Sequence, residues 1–92
     1  MKVCELFDTE SRWTQGYYAK SSNDENVSPT SKHAVKWCLF GAIEKCYRTQ
    51  EMINEVTLKI EEKLDYELIS HWNDDTERTF KEVYDLVHEL NI

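Results

Sequence analysis

Four polar residues in two separated stretches are those best suited to chemistry: Gln15 in Trp13-Thr14-Gln15-Gly16, and Asn73, Asp74 and Arg78 in the late run Ser70 to Arg78. Carboxylates at Asp74 and Asp75 beside the Arg78 guanidinium have the makings of an acid, a base or an anion clamp. A structural reading of the same residues is stronger. Asn73 and Asp74 are turn formers, Trp72 suits packing over a core, and Arg78 can pair with a carboxylate just ahead of a helix. Gly16 permits close backbone approach, whether by a ligand, by a partner or within a simple hairpin bulge.

Metal and thiol chemistry fare worse. The available ligands are Cys4, Cys38, Cys46, His33, His71 and His88. Cys38 and Cys46 on one helix would stand about 12 Å apart along its axis, too far to share a tetrahedral zinc at Zn–S ≈ 2.3 Å. No C-x-x-C pair occurs, and three cysteines in a chain with no secretory leader read as reduced, buried thiols. Pairing Cys38 with His33 or His71 would make a nucleophile only if the thiol were exposed, and an apolar stripe makes it inert. No Gly-rich phosphate loop, Walker motif or Ser-His-Asp order is present. We therefore assign no catalytic residue and expect no cofactor and no metal.

The elements that must position these residues are organised around Ser31 to Tyr47, the most apolar stretch, which reads as a central helix. Val35, Cys38, Leu39, Ala42 and Cys46 fall on one stripe at 100° per residue, with Ile43 at its edge. Ser31 or Thr30 can cap it behind Pro29. Gly41 and Ala34 share a small flank that would admit another backbone. Trp37, Phe40 and Tyr47 widen the apolar surface, to be covered by the N-terminal segment or by a second chain.

Around this hub the chain is expected to place a short helix at Val3, Leu6 and Phe7. A strand over Trp13–Lys20 follows, with Val27-Ser28 returning across Ser21–Asn26, the whole forming a small hairpin or extended flap. A long helix runs from a Thr49 cap to Leu68 through Ile53, Val56, Ile60, Leu64 and Leu68, its charged remainder a solvated face. Ser70–Arg78 reads as a polar connection. Thr79 and Glu82 then form a capping box for a last helix carrying Phe80, Val83, Tyr84, Val87 and Leu90.

Ninety-two residues make one domain, with 40% hydrophobic residues, two glycines and one proline. No run is long enough to span a membrane and no leader precedes the fold, so the chain reads as cytoplasmic. A net charge of −7 disfavours direct nucleic-acid binding. It serves solubility, a basic partner surface or, as a further alternative, mimicry of nucleic acid.

The motifs Trp13-Thr14-Gln15-Gly16, then Trp37-Cys38-Leu39 with Gly41-Ala42-Ile43, and finally Trp72-Asn73-Asp74 with Arg78-Thr79 and Glu82-Val83, resemble an uncharacterised domain family of bacteria and their phages. The resemblance runs from Trp13 to Val83. This chain departs from the family pattern at Thr76 and Glu77, where a small residue and a glycine usually stand. The resemblance implies a shared fold and a phage or mobile-element origin, and no activity.

The expected fold is α+β and mostly helical: three main helices, a short N-terminal helix and a small β-hairpin. The expected function is non-enzymatic, binding a host protein or a second copy of this chain, with a phage-encoded inhibitor of a host defence factor as the specific form. Interface anchors are enriched in aromatics, so the candidate binding residues are Trp37, Phe40, Tyr47, Tyr17, Tyr18 and Trp72. The alternative is a small enzyme or ligand-binding domain built on Gln15, Asn73, Asp74 and Arg78, which calls for a concave pocket joining the two polar stretches.

Overall fold

In the computed structural model, which describes residues 1–92, the chain opens on one helical turn, α1, Val3–Leu6. Val3, Leu6 and Phe7 are buried together, as their spacing predicts. A 3-10 turn over Glu10–Arg12 leads into an irregular stretch and then β1, Ala19–Ser21. β2, Ala34–Trp37, lies antiparallel to it, with Ala19 opposite Trp37 and Lys20 opposite Lys36. Four helices follow: α2, Leu39–Cys46; α3, Gln50–Lys63; α4, Ile69–Asp74; and α5, Phe80–Leu90. The class is α+β, mostly helical, with the short N-terminal helix and the antiparallel pair in place and α4 as an extra element.

The run Ser31–Tyr47 is not one helix. Its first half is β2, because two backbones offer it partners: the Trp37 carbonyl accepts from Thr14 N–H at 3.0 Å, and Cys38 N–H donates to the Tyr18 carbonyl at 3.2 Å. Val35 falls at the register shift between the Lys36 and Ala34 pairings, where it has no partner across the sheet and is 41% exposed, while Trp37, opposite Ala19, is 2% exposed. The β-branched Val35 suits this conformation better than a helix. Helix α2 begins only after Cys38, whose Sγ accepts from Gly41 N–H at 3.3 Å in place of a Ser31 or Thr30 cap. The part of the stripe on α2, Leu39, Ala42 and Ile43, is fully buried.

The flap differs from a tight hairpin. Trp13 and Trp37 form a single parallel bridge, and regular pairing starts only at Ala19. The returning strand is β2, not Val27-Ser28, although Val27 N–H still reaches the Ala19 carbonyl at 3.1 Å along the other edge of β1. Gly16 has φ +82°, a left-handed conformation that glycine adopts freely. The close approach expected at Gly41 occurs, and the backbone that approaches is the flap's own. A Cβ on Gly41 would stand 1.9 Å from the Tyr18 carbonyl oxygen.

Thr49 caps α3 by accepting from Met52 N–H at 3.2 Å, and Val56 and Ile60 face the core. The helix stops at Lys63 rather than Leu68. Asp65 and Tyr66 then take φ of +55° and +64°, reversing the chain so that Leu68 precedes α4. The stretch read as a polar connection is thus partly helical: Ile69 and Trp72, three apart, bury the inner face of α4. One apolar cluster joins Phe7, Leu39, Ile43, Ile60, Trp72 and Val87, so every helix contributes to the same core. Phe80 of α5 meets Phe7 edge-on at 6.5 Å.

The capping box of α5 is formed as expected. Glu82 N–H donates to Thr79 Oγ1 at 3.3 Å and Thr79 N–H donates to Glu82 Oε1 at 2.9 Å. The Thr79 backbone N–H is the main cause holding the Glu82 carboxyl below its ordinary 4.5, opposed by burial and assisted by the Thr79 hydroxyl and Arg78. A carboxyl depressed in the folded state stabilises fully above its unfolded pKa and loses that contribution as pH falls through the folded value. Thr79→Ala is expected to cost about 1 kcal/mol in urea unfolding at neutral pH. The stability gap between the native chain and Glu82→Gln should close in acid, below the ordinary glutamate range.

Candidate functional site

The polar stretches do meet, and Asn73 is where they meet. It lies on the inner face of α4 and is 0% exposed. Its Oδ1 accepts from Trp13 Nε1 at 2.7 Å and from Leu39 N–H at 3.0 Å. Its Nδ2 donates to the Thr14 carbonyl at 3.2 Å and to Asp74 Oδ1 at 2.8 Å. A side-chain amide has two acceptor sites and two donors, so every capacity is used. Gln15 Nε2 reaches the Asn73 carbonyl and the Asp75 carbonyl, each at 2.8 Å, and Gly16 N–H donates to Asp74 Oδ1 at 3.0 Å. One amide thereby ties the flap, the start of α2 and α4 together.

Arg78 is occupied in the same way. Its Nε donates to the Trp72 carbonyl at 2.9 Å, its guanidinium lies 3.9 Å over the Trp72 ring, and NH1 pairs with Glu82 at 2.9 Å. Gln15, Asn73 and Arg78 are therefore fastenings, with their principal groups spent inside the molecule. Asp74 differs: one oxygen anchors Gly16 and Asn73, while the residue is exposed and borders a cleft.

That cleft, about 400 Å³, does join the flap to α4, with Gly16, Tyr17 and Tyr18 on one side and Ser70 and Asp74 on the other. A second hollow of about 190 Å³ shares Tyr18 and Ser70 with it and continues over Phe40, Leu68 and Ile69 to Glu61. Cys38 touches the first cleft, yet burial raises its thiol pKa and its sulfur is engaged by Gly41 N–H. Burial likewise pushes the Cys46 thiol up to about 11. Neither is an activated nucleophile at neutral pH. No three His, Cys, Asp or Glu side chains converge to hold a metal ion.

The aromatic residues divide sharply. Trp37 is buried, with its indole N–H on the Pro29 carbonyl at 2.9 Å. Trp72 is 9% exposed beneath Arg78. Neither offers a surface to a partner, because the fold itself covers them. Tyr47 is half-buried against the core and lies away from the cleft, in a separate open hollow with Lys45 and Arg48. Phe40 is half-buried with its ring 6.0 Å from that of Tyr18, and Tyr17 and Tyr18 are exposed. The surface thus keeps Tyr17, Tyr18 and Phe40 together and adds Leu68, 57% exposed, and Glu61. Leu68 escaped notice because it continues the apolar spacing of α3, and Glu61 because it sits in a run of charges.

No curated protein and no solved structure matches this chain. A family model does, over residues 3–90, consistent with the resemblance drawn from the three motifs. The chain belongs to that family, a family of unknown function (DUF6197).

Proposed function

We propose that this protein works by binding another protein rather than by catalysing a reaction. The observation that carries this reading is the trough made by two adjoining hollows that share Tyr18 and Ser70, lined by exposed Tyr17, Tyr18 and Leu68 and by half-buried Phe40. Aromatic anchors in such hollows are the usual source of interface energy. Of the polar residues that a reaction would need, Gln15, Asn73 and Arg78 are engaged in holding the fold. Small size, a charge of −7 and resemblance to a bacterial and phage family fit an inhibitor of a host defence factor acting in the host cytoplasm.

The test is capture of partners from a lysate of the expressing cell by the tagged native chain and by the double variant Tyr18→Ala, Leu68→Ser. Both side chains are largely exposed, so the variant should fold. A partner held by the native chain and by a Lys81→Ala control on α5, but lost by the double variant, supports the reading. A partner profile identical for all three, or no stoichiometric partner, overturns it.

A second reading, a small-ligand site, has one observation in its favour: the 400 Å³ cleft joining the flap to α4. It expects a small molecule to travel with the purified protein in native mass spectrometry, and to be lost in Asp74→Asn.

A further inference from the structure

We propose that the occupant of the trough is a segment of a partner protein in which an apolar side chain is flanked on both sides by lysine or arginine. The inference rests on the protein-binding reading above and specifies its partner.

The argument starts from the charges that line the two hollows. Asp74 is the only charged residue lining the first, and Glu61 the only one lining the second. No lysine, arginine or histidine lines either. Between them lies the shared stretch of Tyr18 and Ser70, and beside Glu61 the apolar surface of Phe40, Leu68 and Ile69. The trough therefore presents an aromatic and aliphatic middle with a carboxylate toward each end.

Both carboxylates lack a cation. Four of the eighteen acids are paired with bases, all of them outside the trough: Asp24 with Lys20 and Lys36, Glu82 with Arg78, Asp85 with Lys81, and Glu89 with Lys63. Asp74 and Glu61 take part in no ion pair, and Asp74 is held only by neutral donors, Gly16 N–H and Asn73 Nδ2. An apolar contact that excludes water next to a cation-free carboxylate strengthens attraction for an incoming ammonium or guanidinium. Tyr17 already carries Lys20 Nζ at 4.2 Å from its centroid, so the exposed ring left for an incoming cation is that of Tyr18. The net charge of −7 adds long-range steering of a basic segment.

The experiment is isothermal titration calorimetry of the full chain with synthetic extended peptides. Each carries a central Leu, Phe or Trp in a Gly-Ser frame, with Arg two to four residues away on both sides. Matched sets replace both Arg by Glu, or the central residue by Ser. The expected result is binding by the Arg-flanked apolar set, weakened about tenfold or more, roughly 1.4 kcal/mol, by either replacement. Affinity should fall as salt rises from low to physiological strength. Asp74→Asn retains a side-chain oxygen for Gly16 and Asn73 while removing the charge, and Glu61→Gln alters only a half-exposed group. Each should weaken binding several-fold, and together they should flatten the salt dependence.

Equal binding of Glu-flanked peptides, indifference to both substitutions, or no binding by any peptide would overturn the proposal. So would occupation of the trough by a second copy, seen as concentration-dependent dimerisation in sedimentation that Leu68→Ser abolishes. If lysate capture still depends on Tyr18 and Leu68 while the peptides show no basic preference, partner binding stands and only this specification falls. If capture fails, it is the broader reading that falls.

Discussion

Replacing Asn73 by alanine is expected to lower the unfolding free energy by about 3–5 kcal/mol, among the largest effects of any single change in this chain. The side chain is fully enclosed and satisfies four bonds at once, to Trp13, Leu39, Thr14 and Asp74. Truncation leaves the Leu39 N–H at the start of α2 buried without an acceptor. It also strands the Trp13 indole N–H and the Thr14 carbonyl. Each orphaned group costs roughly 1–3 kcal/mol. A domain of this length has only about 5–14 kcal/mol in total, so the melting temperature should drop by 12 °C or more, on the order of 4–8 °C per kcal/mol.

Asn73→Asp is the sharper version. It keeps the shape and an acceptor for Trp13 and Leu39, but it replaces the Nδ2 donor by oxygen facing the Thr14 carbonyl and Asp74 Oδ1. At neutral pH it should be at least as damaging as alanine, with partial recovery in acid as the introduced carboxyl gains a proton. Urea unfolding across pH measures both. An alanine variant within 1 kcal/mol of the native chain, on the ordinary scale of a surface change, would remove Asn73 from its place as the tie between flap and helices.

The second large effect is expected at Gly41. A methyl group there meets the Tyr18 carbonyl oxygen at 1.9 Å and its carbonyl carbon at 2.8 Å, and backbone cannot rotate aside as a flexible side chain would. Gly41→Ala gains about 1 kcal/mol in helix propensity. Pushing the flap off α2 more than cancels that gain, because overpacking costs about 1–3 kcal/mol or more and the Cys38–Tyr18 backbone bond stretches with it. A net loss of about 2 kcal/mol or more follows at the upper end of that range. Gly16→Ala supplies the comparison. Nothing lies within 4 Å of its added carbon, so only the left-handed φ is penalised, by roughly 1 kcal/mol. Gly41→Ala should also disturb amide exchange at Tyr18 and Cys38, whereas Gly16→Ala should leave α2 untouched.

Features encoded by neighbours a few residues apart were readable from the chain. Thr79 and Glu82 satisfy one another across three residues, and Val3, Leu6 and Phe7 cluster on one turn. Features settled by distant partners were not. Val35 and Trp37 fit a strand alternation as well as Val35, Cys38 and Leu39 fit a helical stripe. The choice is made by Thr14 and Tyr18, about twenty residues upstream, whose backbones pair with Trp37 and Cys38. Asn73 was conspicuous as a polar residue, yet its role depends on groups 34 to 60 positions away. The short spacing of Ile69 and Trp72 did signal α4, but the polar residues around them hid it. Of the candidate surface, Tyr17, Tyr18 and Phe40 were legible as exposed-type aromatics. Leu68 was masked by continuing a stripe that the reversal at Asp65 and Tyr66 interrupts.

The burial of Trp37 and Trp72, with Trp13 half-buried beside them, has an optical consequence. Trp13 bonds to Asn73, Trp72 is its chain neighbour, and Trp37 lies beneath the flap, so tryptophan emission reports on the joint between flap and helices. None of the three lines the trough. Spectra that shift on denaturation should therefore stay nearly still when a partner docks, and light from this chain distinguishes an opened fold from an occupied surface.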